Sequence, residues 1–257
     1  MNHIEAIVFD LGGTLIEYAG EHDRWPDLEA PGLQAAYEYL QGQGLKLPGT
    51  ERFSLAAYDL LPRRWQMATS GERNLTVPDL LAEILETLTI EVPDDLILKQ
   101  AAKDYELAVC AGAVPMPNSQ AVLSLLKDRG YKIGLISNTM FSGESHKADL
   151  KRFGMDGYFN ATLFSADLNE WKPTLAPFRR ILRDLGVASG QAVFVGDDPA
   201  TDVIGGKRAG MMVIHFASSN RFSNPDGVTP DATIYSLLEL EWELRRLDNP
   251  DHHATLN

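Results

Sequence analysis

Apolar residues along this chain follow two rhythms. Short, mainly apolar runs at residues 4–9, 131–137, 162–165, 192–196 and 212–216 have the length of strands buried on both faces. Between the later runs, apolar positions recur every three or four residues at 119–129, 146–153, 174–185 and 202–209, which predicts helices. Strands alternating with helices are joined by right-handed crossovers. The pattern therefore predicts an α/β fold, a doubly wound parallel sheet covered on both faces.

The alternation breaks between the first run and the second. Residues 17–112 show helical periodicity only, with candidate helices at 33–40, 53–67, 77–88 and 94–109. Pro26, Pro31, Pro48, Pro62, Pro78 and Pro93 punctuate this stretch, mostly where such helices begin or end. The expected organisation is a core domain of residues 1–16 and 113–247, an inserted helical cap of residues 17–112, and a polar, flexible tail at 248–257. Hinges are expected near 16–20 and 111–117.

Composition narrows the function. The 257 residues are 44% hydrophobic and carry a formal net charge of −13, so a nucleic-acid backbone is repelled and no basic stripe offsets that. No window approaches the roughly 18 uninterrupted apolar residues of a membrane helix, and nothing reads as a secretion signal, so a soluble, cytoplasmic protein is expected. Cys110 is the single cysteine, which excludes an internal disulfide and a cysteine-based metal cluster and reads as a small buried apolar residue.

Four segments carry chemistry: Val8-Phe9-Asp10-Leu11-Gly12-Gly13-Thr14-Leu15, Ile136-Ser137-Asn138-Thr139, Trp171-Lys172-Pro173, and Val195-Gly196-Asp197-Asp198-Pro199-Ala200-Thr201-Asp202. Three of them directly follow an apolar run, which puts them at the carboxyl edge of a parallel sheet, where open α/β folds bind ligands. Asp10 is there a candidate nucleophile, since a carboxylate can attack phosphorus. Clustered carboxylates at Asp197, Asp198 and Asp202 are costly without a cation, and hard oxygen ligands favour Mg²⁺. Ser137 and Asn138 offer donors to a phosphoryl group, and Lys172 offers a charge to neutralise it.

In set and order these segments resemble the haloacid dehalogenase superfamily, whose phosphatases carry Asp-x-Asp-Gly-Thr/Val in the first of them. The resemblance covers residues 4–15 and 115–240 and implies a Mg²⁺-dependent phosphatase acting on a small phosphorylated metabolite through an aspartyl phosphate. It further implies Asp10 and Lys172 as catalytic, and Thr14, Ser137, Asn138 and Lys172 as phosphate-binding. Asp10, Asp197 and the carbonyl of Gly12 are the implied metal ligands, with Asp198 or Asp202 acting in the outer shell or on Lys172. The inserted helices resemble the α-helical cap class.

One position departs from that pattern. The aspartate expected two residues after the nucleophile, which protonates the leaving group and activates water, is Gly12. A positioned acid/base is worth about 10² to 10⁴ in rate, so reduced turnover is expected unless Glu17, His22 or Asp23 takes over. Two other readings stay open. A haloacid dehalogenase also lacks the second aspartate but needs no metal, and a binding protein could keep the cleft without turnover. A phosphonatase-like reaction would need a cap lysine, for which Lys46, Lys99 and Lys103 are available.

Overall fold

The computed structural model describes residues 3–18, 25–217, 222 and 227–248. In chain order it comprises β1 (Ala6–Phe9), β2 (Ile16–Glu17), α1 (Trp25–Gly42), α2 (Thr50–Thr69), α3 (Val77–Thr87), α4 (Asp95–Cys110), β3 (Val114–Pro115), α5 (Ser119–Asp128) and β4 (Lys132–Ser137). There follow α6 (Gly143–Arg152), β5 (Ala161–Phe164), α7 (Ser165–Leu168), α8 (Leu175–Leu185), β6 (Ala192–Gly196), α9 (Ile204–Arg208), β7 (Met212–Phe216), β8 (Ala232–Ile234) and α10 (Leu240–Asp248). Six strands form one sheet in the order β5-β4-β1-β6-β7-β8, and every pair in it is parallel.

Alternate side chains of the central strands enter two different cores. Ile7, Phe9, Ile133, Leu135, Val193 and Val195 meet Leu123 and Leu126 of α5 and Leu240 and Leu244 of α10 on one face. Ala6, Val8, Ile136 and Phe194 meet Phe178, Ile181 and Leu185 of α8 on the other. Burial on both faces explains why these strands are continuous apolar runs. The chain is thus the doubly wound α/β fold expected, with a helical cap inserted after β1. Strand order reverses at β1, which opens a crevice at the carboxyl ends of β1, β4 and β6.

Helices α1 to α4 share a third core built on Leu33, Leu40, Phe53, Leu80, Leu81, Ile84 and Tyr105. Thr76 and Asp94 cap α3 and α4 by accepting backbone N–H groups, as their positions before the apolar periods suggest. Three residues from the α/β part also belong to this core: Met140 and Phe141, just after β4, and Trp171. The Trp171 indole N–H donates to Asn74 Oδ1 at 2.9 Å, and Asn74 Nδ2 donates to the carbonyl of Ala166 at 2.9 Å. The antiparallel pair β2–β3 ties the chain's entry to these helices to its exit, within the two stretches expected as hinges.

Several details differ from the sequence expectations. Helices α1 and α2 run through Pro31 and Pro62 instead of stopping there. Each proline forfeits a backbone hydrogen bond, and burial of Leu33 and Leu40 after Pro31, and of Leu61 and Ala68 on either side of Pro62, holds the helices in place. The helix expected at 202–209 is instead a π-helical turn, Pro199–Val203, followed by the short α9. Gly205 lets α9 approach α8, because a Cβ there would lie 2.4 Å from Phe178 Cε2. Strand β8 and helix α10 had no counterpart among the expected elements; β8 is a three-residue edge strand whose central Thr233 faces out. The tail expected at 248–257 lies outside the described residues beyond Asp248.

Candidate active site

Asp10 leaves β1 with its backbone N–H donating to the carbonyl of Val195 at 2.9 Å, which locks the first loop to the end of β6. Gly13 then turns the chain at φ +83°, and no side chain could stand there, because a Cβ would lie 2.3 Å from Asp197 Oδ2. This close approach brings Asp10, Asp197 and Asp202 together. Each of the three buried carboxylates offers an oxygen within 4.8 Å of the others.

Lys172 is the counter-charge. Its Nζ donates to Asp10 Oδ1 at 2.6 Å and to Asp202 Oδ1 at 2.7 Å, and its side chain is 1% exposed. Burial alone would lower the lysine's pKa, but the carboxylates of Asp10 and Asp202 outweigh it and hold the ammonium charged above its ordinary value. Burial pushes Asp202 upward in turn, opposed by Lys172. Of the two aspartates left unapportioned by the sequence, Asp202 therefore grips the lysine. Asp198 instead caps the π-helical turn, accepting from Ala200 N at 2.9 Å and from Thr201 Oγ1 at 2.8 Å.

Two expected phosphate donors are occupied otherwise. The Asn138 side chain joins two loops: its Oδ1 accepts from Lys172 N and its Nδ2 donates to Lys172 O, both at 2.8 Å. An amide bonded to both the N–H and the carbonyl of one residue holds the lysine's backbone, and Asn138 lines the cavity from that position. Thr14 is fully buried, donates to Asp197 Oδ1 at 3.4 Å, and does not line the cavity over Asp10. Ser137 does line it, together with Asp10, Gly12, Lys172, Asp197, Asp198 and Asp202.

Of the carboxylates and imidazole considered as substitutes for the missing acid, Glu17 lies in β2 and does not line the cavity. His22 and Asp23 lie outside the described residues. No lysine of α1 to α4 faces Asp10 among the described lining residues. Cys110 is buried as expected, and burial pushes its thiol well up, which leaves it unreactive.

Sequence reasoning missed a polar row on the cavity wall. Thr139 Oγ1 lies 2.7 Å from His146 Nε2, and His146 Nδ1 lies 2.8 Å from Tyr18 Oη. A neutral imidazole donates at one nitrogen and accepts at the other, so the row runs in one direction. His146 is stacked between Phe141 and Phe164, and burial lowers its pKa from 6.5 to about 3. The signal in the sequence was only a histidine within a helical period.

That burial sets a pH dependence. The unfolded chain binds a proton on His146 as pH falls through 6.5 while the folded chain refuses it until about 3, so stability is lost across that window and unaffected above it. Between pH 7 and pH 5 the loss from this group is about 2 kcal/mol. Urea midpoints should fall over that range in the wild type and fall less in His146→Gln; equal slopes would remove His146 as the cause.

The donor set suits a hard divalent cation. All three clustered side chains are carboxylates, they are held together by the fold, and one lysine leaves their charge only partly balanced.

Comparison with known proteins accords with this geometry. The family model for haloacid dehalogenase-like hydrolases matches residues 4–210. The chain is 27% identical to a phosphoglycolate phosphatase of Neisseria meningitidis, over 98% of each chain. It is 33% identical to a glyceraldehyde 3-phosphate phosphatase of Methanothermobacter thermautotrophicus, over 82% of this chain and 84% of the other. Among solved structures, a 2-haloacid dehalogenase from Pseudomonas syringae shares the fold, with a TM-score of 0.70 at 24% identity over 95% of this chain and 99% of that one. A sheet that reverses at β1, four loops converging on one carboxylate, and a family match spanning them place this chain among the haloacid dehalogenase-like hydrolases.

Proposed function

We propose that the chain is a Mg²⁺-dependent phosphatase acting on a small phosphorylated metabolite, with residues 17–112 forming the cap that covers its substrate. The observation that carries this reading is Asp10 held by Lys172 beside Asp197 and Asp202. Asp10 Oδ2 attacks phosphorus, the bond from phosphorus to the leaving oxygen breaks, and an acyl phosphate forms on the carboxylate. Water then attacks the same phosphorus and returns the carboxylate. Lys172 keeps Asp10 oriented and offsets the charge spreading over the phosphoryl oxygens, and Ser137 lies at the same edge to donate to one of them. Asp202 and Asn138 fix Lys172 from its two ends. Asp10, Asp197 and the carbonyl of Gly12 would hold Mg²⁺, which when bound supplies a Lewis acid for the phosphoryl group.

The relatives named as phosphatases support the reaction class. A dehalogenase reading gains less, because the buried carboxylates of Asp10 and Asp197 set close together suit a cation that metal-free chemistry does not use. Hydrolysis of a panel of phosphomonoesters with and without Mg²⁺ tests the proposal directly. Turnover unaffected by removal of divalent ions would refute the metal, and binding without turnover would point to a non-catalytic protein.

Mg²⁺ should also stabilise the fold by neutralising the carboxylates. At 100 times its dissociation constant the gain is about 2.7 kcal/mol, visible as a rise in melting temperature. Asp197→Ala should abolish that rise, and an identical rise in the variant would exclude Asp197 from the metal site.

A further inference from the structure

Asn74 lies in the loop between α2 and α3, far in sequence from the strand ends that carry the carboxylates. Its side-chain amide nevertheless joins two later stretches of chain. Asn74 Oδ1 accepts from the Trp171 indole N–H and Nδ2 donates to the carbonyl of Ala166 in α7, both at 2.9 Å. The amide has one workable orientation, because reversing it would set donor against donor at Trp171 and acceptor against acceptor at Ala166. Asn74 is itself held from behind. Its carbonyl accepts from Nη2 of the buried Arg64 at 3.1 Å, and Arg64 Nε lies 2.8 Å from Glu83 Oε2. Three residues on, Val77 N donates to the carbonyl of Met140 at 3.1 Å, so the same loop also meets the segment that follows Ser137 and Asn138.

We propose that Asn74 is a positioning residue for phosphoryl transfer: through the Trp171 indole it sets the short segment from which Lys172 reaches Asp10. The proposal rests on the phosphatase reading, in which Lys172 orients Asp10 and offsets the phosphoryl charge. Trp171 directly precedes Lys172 and is fully buried, so its N–H is shut away from water once Asn74 is removed. A buried donor without an acceptor is costly, and the segment relieves that cost by shifting the indole. Lys172 shifts with it, and its Nζ has bonds of 2.6 Å to Asp10 and 2.7 Å to Asp202 to lose. A displacement of about 1 Å near the reacting atoms costs up to about 10² in rate. Asn138 fixes the backbone of Lys172 from the end of β4, and Asn74 fixes the residue before it from the side of α1 to α4.

The test compares the wild type with Asn74→Ala, with Trp171→Phe, which deletes the indole donor and keeps a ring in its place, and with the double variant. On p-nitrophenyl phosphate with Mg²⁺, each single variant is expected to lose roughly tenfold to a hundredfold in kcat. KM should stay within about twofold, because Lys172 serves attack by Asp10 and by water alike. The double variant should be no slower than either single one, since both remove the same hydrogen bond. A folded Asn74→Ala with the wild-type kcat overturns the proposal, as does a rise in KM alone or a multiplication of the two losses in the double variant. If Asn74→Ala does not fold, Trp171→Phe decides alone, an unchanged kcat overturning the proposal. A second readout needs no turnover: acetylation of Lys172 by acetic anhydride and alkylation of Cys110, followed by peptide mass spectrometry. Labelling of Lys172 should rise at least about tenfold in both single variants, while that of Cys110, buried in α4, keeps its wild-type rate. Equal rises at both residues would mark general loosening and overturn the positioning role. Should the wild type fail to hydrolyse p-nitrophenyl phosphate, the phosphatase reading fails by itself, and the labelling decides whether Asn74 sets Lys172.

Discussion

Asp10→Asn is expected to lower kcat/KM for p-nitrophenyl phosphate by at least about 10⁴-fold, the scale of losing a nucleophile, with the fold retained. An amide oxygen is a poor nucleophile and cannot form the acyl phosphate. The fold survives because the first loop is fixed by the backbone bond from Asp10 N to Val195 O and not by the side chain. Lys172 keeps its contact with Asp202 in the variant. Steady-state kinetics with circular dichroism would show both halves of the expectation. Activity near the wild-type level in the variant would remove Asp10 from the chemistry.

Gly12→Asp is expected to accelerate the slow step by about 10² to 10⁴, the usual worth of a positioned acid/base. Attack on an aryl phosphate needs little protonation of its leaving group, whereas water's later attack lacks a base. The wild type should thus release a burst approaching one p-nitrophenol per enzyme before a slow steady rate. The backbone at Gly12 admits the change: it is absent from the positive-φ glycines, and a Cβ there would meet only Tyr18 Cδ2, at an ordinary 3.7 Å. Rapid-mixing absorbance measurements on both proteins separate burst from steady state. If the wild type shows no burst and hydrolyses alkyl phosphates at about 10 s⁻¹, the typical enzyme rate, another residue carries the proton.

How much of this could be seen in the sequence depends on how local the cause was. The central strands were legible because a strand buried on both faces must be apolar throughout, as at 192–196, where all five residues are buried. Their convergence was legible too, since Asp10, Ser137 and Asp197 each sit where such a strand ends. Strand β8 was not, because an edge strand of three residues with one exposed carries little periodicity. The site's inner partners were hidden for another reason. Asn138 and Lys172 are 34 residues apart, and Tyr18 and His146 are 128 apart. Side chains such as these acquire partners from what the fold sets beside them, so the bonds from the Asn138 amide to the backbone of Lys172 had no signal in the sequence. Asp202 likewise became distinct from Asp198 only once the π-helical turn had aimed one at Lys172 and folded the other back on Ala200 and Thr201.

The insertion of Met140, Phe141 and Trp171 into the core of α1 to α4 gives the two parts of the molecule shared buried apolar surface. Melting the four helices would expose Trp171, a side chain 1% accessible, which directly precedes Lys172. Loss of order in the helices is therefore expected to loosen the loop from which Lys172 reaches the carboxylate cluster. A mutation that destabilises the helices far from Asp10 is thus expected to disturb the lysine's setting as well, through Trp171, its neighbour in the chain.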